Sequence, residues 1–186
     1  MNKKKDEITE YALRLIKNKN FSSFSYDDIA KQMGITKAAV HYHFEKKEDL
    51  GIAVCDRLQA GLLKSFELCQ VEMKHNKAHP WYFIESRVRT ISSDEICPIL
   101  SLQSDYENLT EKLRVKIQEL SNNEIKLMTQ LIHEYNAELD ADEAVTVALM
   151  GVKGALQYRR ILGEAFFLNT MQALRSQFCA SIVEKE

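Results

Sequence analysis

Few residues in this chain interrupt helices, because its 186 residues include only two prolines, Pro80 and Pro98, and six glycines. Proline breaks a helix interior and glycine weakens it, so their scarcity permits long helices. No stretch approaches 18 uninterrupted apolar residues, and the lysine-rich start has no apolar run behind it. We therefore expect a cytoplasmic protein with neither a membrane-spanning helix nor a secretory signal.

The four cysteines do not indicate a disulfide framework or a metal site, since they are scattered without any C-x-x-C spacing. Scattered thiols are typical of reduced cysteines that act as small hydrophobic residues. The chain has no phosphate-binding glycine loop, no H-E-x-x-H and no G-x-S-x-G, so we expect no enzyme, metal or cofactor. Cys69, His75 and His79 form a conceivable zinc site, but their position in a polar segment before Pro80 favours plain surface residues.

Charge is distributed unevenly, although the net charge is only −2. Residues 1–50 contain ten Lys or Arg against eight Asp or Glu, and the remainder contains 15 against 19. The nearly balanced net charge excludes a uniformly basic protein that coats nucleic acid. The mildly positive amino-terminal end still permits DNA binding at that end. Lys3, Lys4 and Lys5 form either a basic arm for the minor groove or a solvated terminus.

Apolar residues recur at three- and four-residue spacing in nearly every segment, and none sustains a two-residue alternation. This pattern predicts an all-α protein of about nine helices. The predicted helices cover roughly residues 4–18, 25–33, 36–43, 47 to the low seventies, 80–91, 99–106, 109–138, 141–163 and 165–183. Whether 109–138 is one helix or two stacked ones is left open by a capping pattern at Ser121 and Glu124.

Residues 26–45 have the spacing of two helices that cross at a steep angle over a tight turn. Ser25 and Asp28 predict a capping box, Gly34 suits the positive φ of the turn, and Thr36 caps the following helix. The positions that would fill the angle between the helices are Ile29, Met33, Ile35 and Val40. A helix-turn-helix is therefore predicted.

If these residues face inward, then Thr36, Lys37, Ala38, His41 and Tyr42 face outward. This face is short, polar and cationic, and it suits insertion into the major groove. A metal site at the two histidines of the "HYH" segment is a weaker alternative, because side chains two positions apart on a helix diverge. Core packing alone would explain the aromatic residues but not the small, capped, cationic face beside them.

The motif Ile29-Ala30, Gly34-Ile35-Thr36, Ala38-Ala39-Val40, Tyr42-His43-Phe44, Lys47 and Leu50 resembles the signature of the tetracycline-repressor (TetR/AcrR) family of bacterial regulators. The resemblance implies a DNA-binding domain over 1–46, a dimerising and effector-binding domain over 47–186, and Phe44 as a core anchor. The DNA-contacting residues that it implies are Ser25, Thr36, Lys37, Ala38, His41, Tyr42, His43 and Lys47, the last holding a phosphate.

Two stripes near the carboxyl end are the candidate homodimer interface. Small residues recur at four- and three-residue spacing in the first, and bulky residues recur at heptad spacing in the second. The predicted interface residues are Ala144, Ala148, Gly151, Ala155, Phe167, Met171, Leu174, Phe178 and Ile182. In the family such helices pair across a twofold axis as a four-helix bundle, and the alternative is an internal face of the chain.

The resemblance also implies a small-molecule effector held in the body. The candidate lining residues are Trp81, Ile84, Val88, Cys97, Leu100, Gln103, Met128, Leu131, Tyr135 and Leu156. Few charges fall among them, which favours a largely apolar effector. We expect a repressor that binds a palindromic operator and releases it when the effector binds. The alternative is an effector-independent architectural or division-linked DNA-binding protein of the same fold.

Overall fold

The computed structural model describes residues 3–182 and is built of α-helices, which confirms the predicted all-α class. The helices are α1 (Lys3–Asn18), α2 (Tyr26–Met33), α3 (Lys37–His43), α4 (Lys47–Asn76), α5 (Tyr82–Val88), α6 (Pro98–Ser104), α7 (Glu111–Tyr135) and α8 (Asp142–Ser181). Short 3₁₀ turns occur at Phe21–Ser23 and Tyr106–Asn108.

The structure decides one helix boundary that the sequence left open and shows the break that was predicted near residue 164. Within residues 109–138 the structure has one helix, α7 (Glu111–Tyr135), rather than two stacked helices. The eighth helix is broken at Gly163, where φ is 84° and ψ is 178°, so α8 has a first arm (142–162) and a second arm (164–181). A positive φ favours glycine, which explains why the break falls at this residue. With this break, the eight helices of residues 3–182 agree with the predicted number of about nine.

The chain divides into two compact units, of which the first contains residues up to Gln59 together with Ile96–Ser121. Its buried core is made of apolar side chains from α1, α2, α4 and α7 and from Phe44 after α3. Fully buried members include Ile8, Ile16, Ile29, Phe44, Leu50, Leu113 and Ile117. The predicted division into 1–46 and 47–186 stays a prediction, since these compact units follow a different partition.

The second unit contains Ala60–Glu95 and the chain from Asn122 onward. Its core is aromatic at α5, where Trp81 and Phe83 are buried, and aliphatic along α7 and α8. None of the helices within 3–182 combines the length and the apolar character that crossing a bilayer requires. Both α4 and α7 contribute residues to each of the two units.

Candidate nucleic-acid interface

The helix-turn-helix begins with the capping box that the sequence predicts. The Ser25 backbone N–H donates to Asp28 Oδ2 at 2.6 Å, and the Asp28 N–H donates to Ser25 Oγ at 3.4 Å. The hydrogen bonds from the Ser25 backbone and hydroxyl hold the pKa of Asp28 below its usual range. At the other end, Gly34 has a φ of 64°, and the Ile35 N–H donates to the Ala30 carbonyl at 3.0 Å. The cap and the turn together fix where α2 starts and stops.

The third helix starts at its own cap, where Thr36 Oγ1 accepts a hydrogen bond from the Ala39 N–H at 3.1 Å. Ile29 and Val40 are completely buried and Phe44 is 1% exposed, which confirms their predicted inward orientation. Met33 and Ile35, also predicted to fill the angle, are half-buried. The buried apolar side chains of α2 and α3 therefore set the crossing of the two helices and leave the opposite face of α3 in solvent.

The outward face of α3 is exposed as predicted, at Thr36, Lys37, Ala38, His41 and Tyr42. Tyr42 projects furthest, with 84% of its surface in solvent. The neighbouring His43 is half-buried, and its ring centroid lies 5.1 Å from that of Tyr42 in an edge-to-face arrangement. A short helix with small and polar side chains and one projecting aromatic ring is a shape that the major groove can receive.

The His41 ring contacts both the Tyr26 ring and the backbone of Glu45. Its ring packs edge-on against Tyr26 with 4.7 Å between the centroids, and its Nδ1 lies 3.4 Å from the Glu45 carbonyl oxygen. Tyr26 is buried, and burial, reinforced by the negative charge of Asp49, raises its pKa to about 12. The aromatic contact fixes the direction of the His41 ring before any DNA is bound.

Lys37 forms an ion pair that sequence spacing did not indicate. Its Nζ lies 2.7 Å from Asp27 Oδ2, and both side chains are more than half exposed. The pair joins the first turns of α2 and α3, so it depends on how the two helices cross. Because an exposed ion pair contributes little stability, a phosphate or a base edge can replace Asp27 at small cost.

Lys47 is engaged inside the first unit. Its Nζ donates to the carbonyl oxygen of Phe21 at 2.5 Å and to that of Phe24, and it lies 4.7 and 4.3 Å from the two ring centroids. Burial lowers the pKa of Lys47, and the negative charge of Asp105 opposes this effect. Its predicted role in holding a phosphate stays a prediction, but these contacts show a second role as a clamp on the turn between α1 and α2.

The same turn is held from a second direction by the segment that begins at Ile96. The buried carboxylate of Asp105 accepts a hydrogen bond from the Ser22 N–H at 2.8 Å. Ser101 donates to the Ile16 carbonyl at 2.7 Å, and the Ile96 N–H donates to the Lys17 carbonyl at 2.7 Å. These contacts satisfy carbonyl groups in the last turn of α1, which lack partners within the helix.

The amino-terminal lysines lie within α1, so neither the extended arm nor the frayed terminus describes them. Lys3, Lys4 and Lys5 are exposed, and Lys4 pairs with Glu7 at 2.6 Å. Their charge adds to the positive character of the first unit. Residues 1 and 2 lie outside the described part of the chain.

The candidate effector residues are divided between the two compact units. Cys97, Leu100 and Gln103 belong to the first, where Gln103 Nε2 donates to Ser121 Oγ at 2.9 Å. The other seven belong to the second unit: Trp81, Ile84, Val88, Met128, Leu131, Tyr135 and Leu156. Most of these are buried, Val88 is half-buried and Tyr135 is exposed. Their role as a ligand pocket stays a prediction.

The candidate dimer stripes pack largely within the chain. A Cβ on Gly151 would lie 2.5 Å from Leu174 Cδ2, so the second arm of α8 lies directly on the small residues of the first arm. The buried members are Ala148, Ala155, Phe167, Phe178 and Ile182, and the half-buried ones are Ala144, Gly151, Met171 and Leu174. Four of the nine, Ala144, Ala148, Leu174 and Phe178, also line a cleft of about 240 Å³.

A different set of apolar residues on α8 is open to solvent. Their exposed fractions run from 40% for Phe166 to 79% for Ile161. The set comprises Val147, Met150, Tyr158, Ile161, Leu162, Phe166 and Leu168. Sequence spacing missed this set because both stripes on the helix are apolar, and only packing decides which one the chain itself covers.

The conceivable zinc residues do not form a metal cluster in the described part of the chain, where no group of three or more suitable side chains occurs. His79 Nδ1 lies 3.7 Å from Cys179 Sγ, and the Cys69 thiol lies 3.8 Å from the Pro80 carbonyl oxygen. Burial lowers the pKa of His79, and nearby Arg175 lowers it further. The expectation of surface residues is therefore wrong for Cys69, which is fully buried, and for His79, which is half-buried, whereas His75 is exposed.

Comparison with known proteins supports the helix-turn-helix assignment. The family model described as "Bacterial regulatory proteins, tetR family" matches residues 8–54. The HTH-type transcriptional regulator YerO of Bacillus subtilis is 38% identical over 56 residues, 30% of this chain and 19% of YerO. The HTH-type negative transcriptional regulator IcaR of the biofilm operon icaADBC, from Staphylococcus aureus (strain Newman), is 39% identical over 46 residues, 25% of each protein.

Solved structures share the fold over nearly the whole chain. A TetR transcriptional regulator from Legionella pneumophila has a TM-score of 0.82 at 22% identity, covering 95% of this chain and 97% of that one. A TetR-family regulator from Agrobacterium tumefaciens has a TM-score of 0.79 at 21% identity, with 96% and 97% covered. At these identities the likeness establishes the fold.

The capped helix-turn-helix, with the outer face of α3 exposed, has the architecture of a DNA-binding domain. Residues 8–54, which contain the motif, match the TetR family of bacterial regulatory proteins, and the chain as a whole shares the fold of solved TetR-family regulators. The matched segment spans only 19% of the length of YerO and 25% of the length of IcaR.

Proposed function

We propose that this regulator is a cytoplasmic, non-enzymatic homodimeric repressor that binds a palindromic operator and leaves it when a small, largely apolar effector binds. The observation that carries the proposal is the exposed face of α3, which presents Lys37 and Tyr42 beyond a rigid cap at Thr36. IcaR, which is similar to this chain over 46 residues, is named as a negative regulator, which favours repression.

Dimerisation is supported by the exposed apolar stripe on the first arm of α8. Val147, Met150, Gly154, Tyr158 and Ile161 follow one another at spacings of three, four, four and three residues, so they share one helical face. A second copy of this chain would cover that stripe with its own. Two dyad-related α3 helices would then reach successive major grooves, about 34–36 Å apart.

Effector response would reach the DNA through the contacts between the segment from Ile96 and the end of α1. The hydrogen bonds of Ile96, Ser101 and Asp105 hold the last turn of α1 and the turn that follows it. A shift of this segment would move the helix-turn-helix relative to α4, which Lys47 ties to the same turn. Effector binding and operator release would then be coupled because each favours a different arrangement of these contacts.

The direct test is capture of fragmented genomic DNA by the purified protein at near-physiological salt, followed by sequencing of the bound fragments. A specific repressor should recover a few sites that share one palindrome, and binding should weaken steeply with salt because phosphate contacts dominate affinity. Diffuse capture without a shared sequence would retain the DNA-binding fold and favour an effector-independent architectural protein instead.

The reading face can be tested with single substitutions on α3. We expect Lys37→Ala and His41→Ala to change which operator sequence is preferred, since each base contact contributes about 1–3 kcal/mol of discrimination. Selection from a randomised operator library measures this preference. Lys31→Ala, an exposed lysine on α2, is the matched control and should leave the preference as it is. An unchanged preference in both α3 variants would remove this face as the reader.

A further inference from the structure

We propose that the second compact unit receives an effector bearing one anionic group, a carboxylate, at Lys153 and Arg87. The inference rests on the effector-responsive regulator proposed above and adds the chemical class of the effector. It starts from a buried cluster of charge that the sequence-based list of lining residues does not include.

The cluster joins three helices of the second unit around one carboxylate. Lys153 Nζ on α8 lies 2.7 Å from Glu124 Oε2 on α7, and Arg87 Nη2 on α5 donates to Glu124 Oε1 at 3.4 Å. Glu124 and Lys153 are only 6% and 8% exposed, and the Arg87 side chain is 21% exposed. Two cations thus share one anion, which leaves a single excess positive charge in a mostly buried position.

Lys153 is also short of acceptors. An ammonium group has three N–H donors, and among residues 3–182 the buried Nζ of Lys153 has no acceptor besides the Glu124 carboxylate at 2.7 Å. Buried donors are usually paired, and a buried charge without compensation is costly. A water molecule would accept a hydrogen bond but would leave the excess charge in place, whereas an anionic group would supply both an acceptor and the missing charge.

The helical register places this cluster beside the candidate apolar lining. Residues three, four or seven positions apart on a helix lie on one face, and the charged and apolar positions share such faces on each helix. The shared faces are Ile84, Arg87 and Val88 on α5, Glu124, Met128 and Leu131 on α7, and Lys153 and Leu156 on α8. An effector that fits both parts has an apolar body and one anionic end.

The sign and size of the excess charge define the chemical class of the effector more closely. One excess positive charge matches a monoanion, and a cationic effector would be repelled by Lys153 and Arg87 while Glu124 is already occupied by both. A carboxylate can accept hydrogen bonds through two oxygens, which suits donors on two different helices.

The test is calorimetric binding of matched compounds to the full-length protein, using octanoate and hydrocinnamate with the amide and amine of each carbon skeleton. A charge-assisted hydrogen bond is stronger than a neutral one, so we expect each carboxylate to bind about tenfold or more tightly than its amide. The amines should bind most weakly. Equal binding of carboxylate and amide, or no binding by the carboxylates, would overturn the inference.

Two variants are expected to change the affinity for carboxylates in opposite directions. Lys153→Met should weaken carboxylate binding about tenfold or more and leave amide binding unchanged, because only the charged contact is lost. Glu124→Gln removes the competing anion and should tighten carboxylate binding severalfold, an effect that a purely structural ion pair would not produce. Lys126→Met, an exposed lysine on α7, is the control and should behave like the native protein.

Operator binding measured in parallel separates this inference from the proposed function. If a neutral or cationic compound releases the operator, the effector-responsive repressor stands and the anionic class is wrong. If the operator is bound specifically and no compound class either binds the protein or releases the operator, both the effector response and this inference fail while DNA recognition remains. If a carboxylate binds without releasing the operator, the site is present and the proposed release mechanism is wrong.

Discussion

Replacing Gly154 by leucine is expected to convert the proposed homodimer into a folded monomer and to weaken operator binding by about 100-fold or more, because linked half-sites gain strongly from binding together. A Cβ built on Gly154 meets no atom within 4 Å, so the chain itself gives no steric reason for glycine there. Glycine inside a helix costs about 0.5–1 kcal/mol relative to alanine. In the proposed dimer, close approach of a second copy would account for glycine at this position of the exposed stripe.

Analytical ultracentrifugation with thermal unfolding separates the dimer effect from a folding defect. Gly154→Leu should sediment as a monomer with undiminished helix content. Gly154→Ala is the mild control and should remain largely dimeric with a small gain in stability. Gly151→Ala is the contrasting variant, since its Cβ would lie 2.5 Å from Leu174 Cδ2 and should disturb packing inside the chain. A fully dimeric Gly154→Leu protein would place the interface elsewhere.

Replacing Lys47 by methionine is expected to destabilise the first unit by about 2–4 kcal/mol, since hydrogen bonds to charged groups contribute about 1.5–3 kcal/mol and cation–π contacts about 0.5–2 kcal/mol, partly offset by retained packing. The lost contacts are those to the carbonyl groups and rings of Phe21 and Phe24. Asp105 would also lose the nearby cation that balances its charge. Chemical denaturation measures the loss.

The same variant distinguishes the clamp from a phosphate contact. If Lys47 mainly holds a phosphate, Lys47→Met should leave stability intact, weaken binding to all DNA alike and reduce the salt slope by about one. Lys46→Met, at the exposed neighbouring position, is the control for general loss of charge. A stability loss confined to Lys47→Met supports the clamp, and native-like stability would contradict it.

The helix-turn-helix was predictable in detail because its determinants are local. The Ser25 capping box, the positive φ of Gly34 and the Thr36 cap each depend on residues within a few positions of one another. Once the ends of the helices are known, helical periodicity predicts which side chains face the core, and Ile29, Val40 and Phe44 are buried as predicted. The break between the two arms of α8 was also predictable, since glycine marks it.

The contacts of the charged side chains were less predictable because they join residues far apart in the chain. Lys37 was expected on the reading face, but its pairing with Asp27 depends on the crossing of two helices. Lys47 was expected at a phosphate, and the aromatic turn that surrounds it lies more than twenty residues earlier in the sequence. The buried cluster at Glu124 draws on three helices, and no spacing rule connects them.

The amino-acid sequence by itself determined the all-α class, the reading helix and its caps, because helix periodicity and capping are short-range effects. Tertiary structure alone decided which apolar stripe of α8 the chain covers, since both stripes satisfy the same periodicity and only the packing of Leu174 against Gly151 distinguishes them. It likewise decided where buried charges are compensated, because the free energy of a buried charge depends on partners that folding brings together.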